Sequence, residues 1–152
     1  MKRDNGFLKR ILYTIESSPL RMTQKRERLL DALVASDRPI SAAVLRDKAG
    51  LPDSDLVTVY RTLEAFERVG IIQRIPLEES GCLFEVTEPE DHHHHFVCRE
   101  CHRTERLDFC LGKELEERAK KLGFTEVTHL MEVYGLCEDC QPVHESVDCV
   151  GG

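Results

Sequence analysis

The sequence predicts an α+β protein in which an N-terminal winged helix-turn-helix is followed by a small α/β domain with a four-cysteine zinc site. The first observation is periodicity, because three helical segments and a hairpin fill about 65 residues of the first half. The second is a pair of Cys-x-x-Cys motifs in the second half. The third is charge: the net charge of −7 combines +4 over residues 1–76 (14 Lys and Arg, 10 Asp and Glu) with −11 over residues 77–152 (7 and 18). The positive charge of the first half favours binding to phosphates, and the negative charge of the second half favours binding to cations.

Helical periodicity and capping residues place four helices in the first half. An N-terminal helical extension is predicted over residues 7–17 and ends before Ser18-Pro19. Three further helices begin at favourable N-cap residues, which are Thr23, Ser41 and either Ser54 or Asp55. They are predicted to end at residues 35, 48 and 69, the last of them closed by Gly70.

Strand-like runs complete the two predicted domains. A wing hairpin is predicted over residues 71–75 and 82–87, and strands are predicted over residues 94–98, 106–109 and 124–134, with a helix over 111–122. The domain prediction is a winged-helix DNA-binding domain over residues 1–87, a hinge over 88–91, a dimerisation and metal-binding domain over 92–140 and a flexible tail over 141–152.

The bulk composition is that of an ordinary globular chain. The sequence shows neither an N-terminal leader pattern nor an apolar run near the roughly 20 residues that cross a bilayer, so we expect a cytoplasmic protein without a membrane partner. Seven cysteines in such a chain favour metal binding over a disulfide framework, because cytosolic conditions keep thiols reduced.

The two Cys-x-x-Cys pairs are the strongest chemical signal. Cys98, Cys101, Cys137 and Cys140 can supply the four thiolates of a closed tetrahedral Zn²⁺ site. The alternatives are two disulfides or a set of free thiols. Four thiolates leave no open coordination position, so the predicted role is structural.

A run of four histidines, His92 to His95, leads into the first cysteine pair. In an extended chain, His93 and His95 share one face, while His92 and His94 share the other. Imidazole is a good ligand for zinc, iron and related metals. The run therefore predicts two separate metal sites, in contrast to a solvated polar loop.

Several further residues are candidate ligands because of their positions near the ends of predicted elements. They are Glu85, Asp108, His129, Glu114 and Cys82. On one strand, Cys82 and Glu85 point to opposite faces, so we do not expect both to bind one ion. For Cys82 the alternative is a small buried apolar residue, and for Glu114 it is a solvated helix face. Cys110 and Cys149 have no evident partner.

The last helix of the first half carries the pattern of a recognition helix. Thr58, Tyr60 and Arg61 lie on its early turns, where such helices contact base edges and phosphates in the major groove. Arg26 adds charge near the first helix of the winged helix-turn-helix. The alternative is an amphipathic helix with an ordinary polar face, but the hairpin and the basic first half favour double-stranded DNA as the partner.

Together, these motifs resemble the ferric uptake regulator family of bacterial metal-dependent repressors across residues 20–140. The matching segments are residues 21–26, residues 58–63, Gly70-Ile71-Ile72, the histidine run and both cysteine pairs. The resemblance implies a homodimer, joined through the second domain, in which a regulatory metal at the hinge favours the DNA-binding posture.

The same resemblance implies roles for individual residues. The four cysteines correspond to the structural zinc site, and His93, His95 and Glu85 to the regulatory hinge site. Asp108 lies where the peroxide-sensing branch has an aspartate ligand, and Cys82 lies in the region where the zinc-uptake branch uses a cysteine. His92, His94 and His129 correspond to a second site, with Glu114 as a substitute for an acid that aligns near Gly112.

One departure from the family pattern bears on the choice of metal. Iron and peroxide members have a histidine just before the second helix of the winged helix, where this chain has Arg38-Pro39. Losing that ligand weakens a six-coordinate iron site, while four-coordinate binding by two histidines plus Cys82 or Glu85 suits zinc. We therefore favour Zn²⁺ over Fe²⁺ or Mn²⁺ as the regulatory ion.

The predicted function is a metal-responsive repressor of metal-uptake genes that binds a palindromic operator as a cation-activated homodimer. An iron- or peroxide-responsive member of the same family is the first alternative. A zinc-stapled protein-interaction module without DNA binding is the second. The chain lacks a His-Glu-x-x-His motif and a nucleophile constellation, so neither an enzyme nor a small-molecule substrate is predicted.

Overall fold

The structure, a computed structural model, describes residues 5–79, 81–88 and 91–142. The predicted tail beyond residue 142, which includes Cys149, and hinge residues 89 and 90 lie outside this range. The helices are α1 (Asn5–Glu16), α2 (Gln24–Val34), α3 (Ala42–Lys48), α4 (Leu56–Arg68) and α5 (Gly112–Lys121). The strands are β1 (Ile40–Ser41), β2 (Ile72–Pro76), β3 (Cys82–Val86), β4 (His94–Cys98), β5 (Thr104–Leu107) and β6 (Glu132–Gly135). None of the described helices combines the length and apolar character needed to cross a membrane.

The helices of the first half begin and end where the local sequence predicts. The Thr23 side chain accepts a hydrogen bond from the Arg26 N–H at the start of α2, and Ser41 accepts one from the Val44 N–H at the start of α3. Gly70 follows α4 with a φ of 75°, a left-handed conformation that glycine adopts without steric cost. The winged helix-turn-helix prediction is confirmed for these elements.

The first sheet has the strand order β1-β3-β2, and both pairings are antiparallel. The predicted hairpin corresponds to β2 and β3, but β1 was not predicted, because two residues before a helix carry no readable periodicity. Apolar faces of α1 to α4 pack on this sheet, and fully buried residues include Ile11, Leu29, Leu45, Leu63 and Phe66. This core fixes the position of Glu85 on β3.

The second sheet has the order β5-β4-β6, with β4 antiparallel to β5 and parallel to β6. His95 lies at the centre of this arrangement, opposite Arg106 on one side and Glu132 on the other. Since side chains alternate along β4, its histidines point to both faces of the sheet. The histidine run is therefore held by a central strand.

Two predicted strands are corrected by the structure. The strand predicted over residues 106–109 is β5, Thr104–Leu107, because the turn after Cys101 is short and His102 adopts a φ of 58°. The long strand predicted over residues 124–134 is reduced to β6, Glu132–Gly135. Glu126 has a φ of 54°, which interrupts an extended chain, and Phe124 and Leu130 are exposed.

Hydrogen bonds and an ion pair connect the two sheets and the segment between them. The Gln73 side chain donates to the carbonyl of His93 at 3.0 Å, and the Tyr134 hydroxyl donates to the carbonyl of Pro76 at 2.9 Å. Arg10 on α1 forms a two-pronged ion pair with Glu88 at 2.6 and 2.7 Å. The wing therefore faces the first residues of β4.

Candidate functional site

Three groups of potential metal ligands occur in the described part of the chain. In each group, the candidate ligand atoms lie within 4.8 Å of one another. We call them the cysteine group (Cys98, Cys101, Cys137, Cys140), the hinge group (Glu85, His93, His95) and the second group (His92, His94, Cys110, His129). The alternation predicted for the histidine run separates the last two groups as expected.

The cysteine group joins the turn after β4 to the turn after β6. The Sγ atoms of Cys101 and Cys137 lie 3.6 Å apart, and the Cys137 N–H donates to the sulfur of Cys98 at 3.3 Å. Backbone N–H groups of Cys101 and Cys137 lower the pKa of Cys98 to about 6, whereas hydrogen bonds with the thiols of Cys137 and Cys101 raise the pKa of Cys140 to about 12. Ionisation of one thiol thus disfavours ionisation of its neighbours, and a bound divalent cation would offset this repulsion by stabilising all four thiolates. The donor set fits a structural zinc ion.

The hinge group brings the wing and the second sheet together at one carboxylate. Glu85 of β3 lies with Oε1 2.9 Å from Nε2 of His93 and 2.8 Å from Nε2 of His95. Both imidazoles are buried, and Glu85 is nearly so. Two nitrogen donors and one oxygen donor therefore converge from two different sheets.

The charges in the hinge group are coupled. Burial opposes ionisation of Glu85, but hydrogen bonds from His93 and His95 outweigh it and lower the carboxyl pKa to about 2. Burial also opposes protonation of His95, yet hydrogen bonds to Glu132 and Glu85 raise its pKa to about 9. A proton on His95 thus occupies the position between nitrogen and carboxylate that a cation would take.

Two more carboxylates lie behind the histidines of the hinge group. Asp91 Oδ2 is 3.4 Å from Nδ1 of His93, and Glu132 Oε2 is 3.5 Å from Nδ1 of His95. Glu132 also accepts a hydrogen bond from the backbone N–H of His95 at 2.8 Å. At these distances the two carboxylates act on the rings mainly through their charge, and outer carboxylates of this kind orient the ligating histidines of metal sites. Sequence reasoning missed both residues, because neither belongs to a ligand motif.

A cavity of about 200 Å³ adjoins the hinge group. Its walls include Asp37, Arg38, Pro39 and Arg106, together with Glu85 and both histidines. Arg38-Pro39, the departure noted in the sequence, is therefore next to the proposed metal position. A guanidinium has no lone pair to donate, so Arg38 supplies no ligand.

The structure does not bring Cys82 or Asp108 into the hinge group. Cys82 is half-buried and packs against the core of the first sheet. Asp108 is mostly exposed and accepts a hydrogen bond from Arg106 at 2.6 Å. It turns away because β5 ends at Leu107, one residue earlier than a strand that would aim Asp108 along the sheet. Of the two alternatives for the wing ligand, only Glu85 lies with the histidines.

The second group lies on the opposite face of β4. Nε2 of His92 is 3.0 Å from Nε2 of His94 and 2.8 Å from Nε2 of His129, and the last two atoms are 3.2 Å apart. The sulfur of Cys110 lies 3.1 Å from Nε2 of His129. Burial, followed by the charge of neighbouring histidines, lowers the pKa of His92 and of His94, which favours neutral imidazoles.

Glu114, predicted as a substitute ligand, lines an adjacent cavity but is not part of the second group. Its place is taken by Cys110, to which no partner was assigned from the sequence. The available signal was its position just before the start of α5, because thiolates are stabilised at helix N-termini. The irregular segment that carries His129 back to β4 could not be predicted.

Three of the four proposed DNA-contacting residues lie at the N-terminal end of α4, and the fourth, Arg26, lies on α2. Tyr60 and Arg61 are exposed and Thr58 is half-buried, whereas Val59, Leu63 and Phe66 face the core. The Lys25 ammonium contacts Asp55 at 2.7 Å, which places the start of α2 beside the start of α4. Arg26 is half-buried, and its guanidinium donates to the carbonyl of Arg21.

The chain belongs to the ferric uptake regulator family, whose sequence pattern matches residues 17–134. A ferric uptake regulation protein of Staphylococcus epidermidis is 35% identical over 129 residues, which cover 84% of this chain and 91% of that protein. The peroxide-responsive repressor PerR of Staphylococcus saprophyticus is 28% identical over 131 residues, covering 84% and 87%. The chain is accordingly a metal-responsive transcriptional regulator, as its sequence predicted.

Solved structures of the family have the same fold. The ferric uptake regulator of Helicobacter pylori superposes with a TM-score of 0.68 and 24% identity, covering 95% of this chain and 99% of that one. The holo form of XcZur superposes with a TM-score of 0.63 and 29% identity, covering 90% and 98%. The α+β fold prediction, a winged helix followed by a small α/β unit, is confirmed.

Proposed function

We propose that the chain is a homodimeric, cytoplasmic repressor of metal-uptake genes and that a cation in the hinge group activates it for operator binding. The observation that carries this proposal is the position of Glu85, a wing residue whose carboxylate lies within 2.9 Å of both hinge histidines. A cation held by these three residues joins β3 of the winged helix to β4 of the second sheet. No catalytic activity is part of the proposal.

The switch requires a cation that binds one relative orientation of the two units more tightly than others. Without the cation, the same residues are held by the ion pair between Glu85 and protonated His95, which a change in orientation can break. With the cation, three ligands from two units share one centre, so separation costs metal–ligand bonds. The proposed domain boundaries, 1–87 and 92–140, lie on either side of this centre.

Homodimerisation is supported by the exposed apolar surface of the second unit. Phe96, Val133 and Leu136 line one side of β4 and β6, and each side chain is at least one-third exposed. Further exposed apolar residues follow on and around α5, namely Leu111, Leu115, Leu122 and Phe124. Monomeric proteins rarely expose so many large apolar side chains together, and a second copy of the chain would cover them.

DNA binding is supported by the exposed N-terminal end of α4. In a dimer, two such helices would read half-sites about one helical turn apart, provided that their separation is fixed. Tyr60 and Arg61 are the proposed contacts, with Thr58 and Arg26 beside them. The structure of a zinc uptake regulator complexed with zinc and DNA superposes on this chain with a TM-score of 0.67 at 24% identity, a likeness of fold alone.

Zinc is the proposed regulatory ion because the hinge group offers two histidines and one carboxylate. Three such ligands suit a four-coordinate zinc ion, while Fe²⁺ and Mn²⁺ favour more oxygen donors. The iron- or peroxide-responsive alternative is supported by the relatives, since the two curated proteins named above are a ferric uptake regulator and a peroxide-responsive repressor. The protein-interaction module without DNA binding is no longer favoured, because the family consists of transcription regulators.

Operator binding measured by fluorescence anisotropy with Zn²⁺, Fe²⁺, Mn²⁺ or a chelator tests the proposed switch. We expect the regulatory ion to raise operator affinity at least tenfold. Of the three ions, Zn²⁺ should produce this gain at the lowest free concentration. Glu85→Ala should remove the gain, whereas Glu105→Ala, which changes a carboxylate lining the same cavity, should keep it. Equal binding with and without metal would refute the switch.

Substitutions on α4 test the proposed DNA contacts. Tyr60→Ala and Arg61→Ala should each weaken operator binding by about tenfold or more, with zinc content and dimerisation unchanged. Arg118→Ala on α5 is the matched charge control and should bind normally. Operator binding should also weaken steeply with salt, because phosphate contacts release counterions.

A further inference from the structure

The second group differs from the set expected for it. The acid expected near Gly112 is absent, and Glu114 is not in the group of donors that lie within 4.8 Å of one another. Cys110 instead stands 3.1 Å from His129 Nε2, and its sulfur lies within 4.8 Å of the ligand atoms of all three histidines. Four donors, three nitrogens and one sulfur, therefore surround one point.

The four donor–donor distances that join His92, His94, His129 and Cys110 directly are close to those of tetrahedral coordination. Metal–nitrogen bonds of about 2.0–2.1 Å and a metal–sulfur bond of about 2.3 Å place tetrahedral ligands about 3.3 Å apart for two nitrogens and about 3.6 Å apart for nitrogen and sulfur. The three Nε2–Nε2 distances here are 2.8, 3.0 and 3.2 Å, and the sulfur–nitrogen distance is 3.1 Å. Each distance reaches the tetrahedral value with a shift of about half an ångström.

The start of α5 holds the Cys110 sulfur in position beside His129. The N–H of Gly112, the first residue of α5, donates to the Cys110 sulfur at 3.1 Å. A Cβ atom at position 112 would lie 2.9 Å from Cε1 of His129 and 3.1 Å from the Cys110 sulfur, so glycine leaves the space that these two ligands occupy.

We propose that His92, His94, His129 and Cys110 form a closed N₃S metal centre that selects zinc, with Cys110 as a ligand of this chain. Thiolate with imidazole suits Zn²⁺ and Co²⁺, whereas the oxygen-preferring Mn²⁺ gains nothing from the sulfur. The centre is separate from the hinge group and does not depend on the proposed switch.

The centre would anchor a part of the chain that lacks regular structure. Its ligands come from the start of β4, from the β5–α5 connection and from residue 129, between α5 and β6. Residues 124–131 contain neither helix nor strand, and Phe124 and Leu130 are exposed. A metal bound to His129 would hold this segment against the sheet and support the proposed dimer surface.

Cobalt spectroscopy on full-length protein tests the ligand assignment directly. The cysteine group is first filled with one equivalent of Zn²⁺, and Co²⁺ is then added. Since the hinge group has no cysteine, a thiolate-to-cobalt charge-transfer band then reports on the second group. We expect this band and intense tetrahedral d–d bands in the wild type and in Cys82→Ser and Glu114→Gln, but no charge-transfer band in Cys110→Ser.

Zinc affinity gives a second readout that does not involve DNA. Chelator competition should show the second group weakened by about 100-fold or more in Cys110→Ser, since even the loss of an outer-shell partner costs about 10- to 100-fold. Cys110→Asp should retain a centre whose preference shifts from Zn²⁺ towards Mn²⁺. A charge-transfer band that persists in Cys110→Ser, or that disappears in Cys82→Ser, would overturn the assignment. Loss of the switch in Glu85→Ala leaves this test unaffected.

Discussion

The hinge group and the second group lie on opposite faces of the same strand, yet they differ in the number, kind and origin of their candidate ligands. The hinge group has three ligands from two sheets, with one carboxylate shared between two histidines. The second group has four candidate ligands, all from residues 92–129, and one of them is a thiol. A period of two along β4 thus separates a three-donor group that contains a carboxylate from a four-donor group that contains a thiol.

The origin of the candidate ligands, from two sheets or from one part of the chain, indicates which site can act as a switch. A closed four-ligand centre within one unit stabilises that unit but does not report on its neighbour. A site whose ligands come from both units changes its affinity when their orientation changes. This difference is the reason why we propose regulation for the hinge group and anchoring for the second group.

The largest effect that we expect is the loss of zinc affinity at one group, but not at the other, after a single substitution. Glu85→Ala should weaken hinge binding of Zn²⁺ by about 100-fold and leave the second group intact, while Cys110→Ser should do the reverse. Equilibrium dialysis with metal analysis measures both. Equal losses at both sites in either variant would show that the groups are not independent.

A smaller effect is the pH dependence of the hinge group, measured in the Cys110→Ser background. Zinc must displace the proton from His95, whose pKa is raised to about 9. The affinity should therefore rise with pH, by up to about tenfold per unit between pH 7 and 9, and level off above.

Glu132→Gln sharpens this prediction. Glu132 is one of the two carboxylates that raise the pKa of His95. Its removal should lower the pH above which the zinc affinity of the hinge group no longer rises. The matched control is Glu138→Gln, an exposed carboxylate after β6. An affinity that does not change between pH 7 and 9 in the unsubstituted hinge would contradict the ion-pair description.

A still smaller effect on zinc affinity is expected from a bulkier residue at position 112, next to the second group. Gly112→Ala places a Cβ 2.9 Å from His129, so the ring must shift by a few tenths of an ångström. Zinc affinity of the second group should fall by about tenfold, with the hinge group unchanged. Gly135→Ala is the control, because nothing lies within 4 Å of its added Cβ. Unchanged affinity in Gly112→Ala would mean that His129 is not held where the structure places it.

Much of the fold was predictable because its signals are local. Thr23 and Ser41 cap their helices, and Gly70 ends α4 as expected. Alternation along β4 predicted which histidines belong together. β1 was missed because a two-residue strand carries no readable periodicity. The strand that became β6 was predicted too long, because the break at Glu126 has no clear mark in the sequence pattern.

The candidate sites were harder to predict where ligands come from irregular segments. Asp108 and Cys82 were expected near the hinge histidines, but the end of β5 and the core of the first sheet direct them elsewhere. Cys110 was overlooked because its partner His129 lies 19 residues later, on a segment expected to be a strand. Asp91 and Glu132 act through histidines, a role that spacing alone does not reveal.

The most direct test of the central claim is the distance between the two α4 helices of a dimer, measured by pulsed electron paramagnetic resonance with a spin-labelled noncanonical amino acid at position 64. The cysteine and second groups are filled with zinc beforehand, and the regulatory cation is then added. We predict a broad distance distribution that narrows to a single separation in the wild type and stays broad in Glu85→Ala. Identical distributions before and after addition of the cation would contradict the proposed coupling.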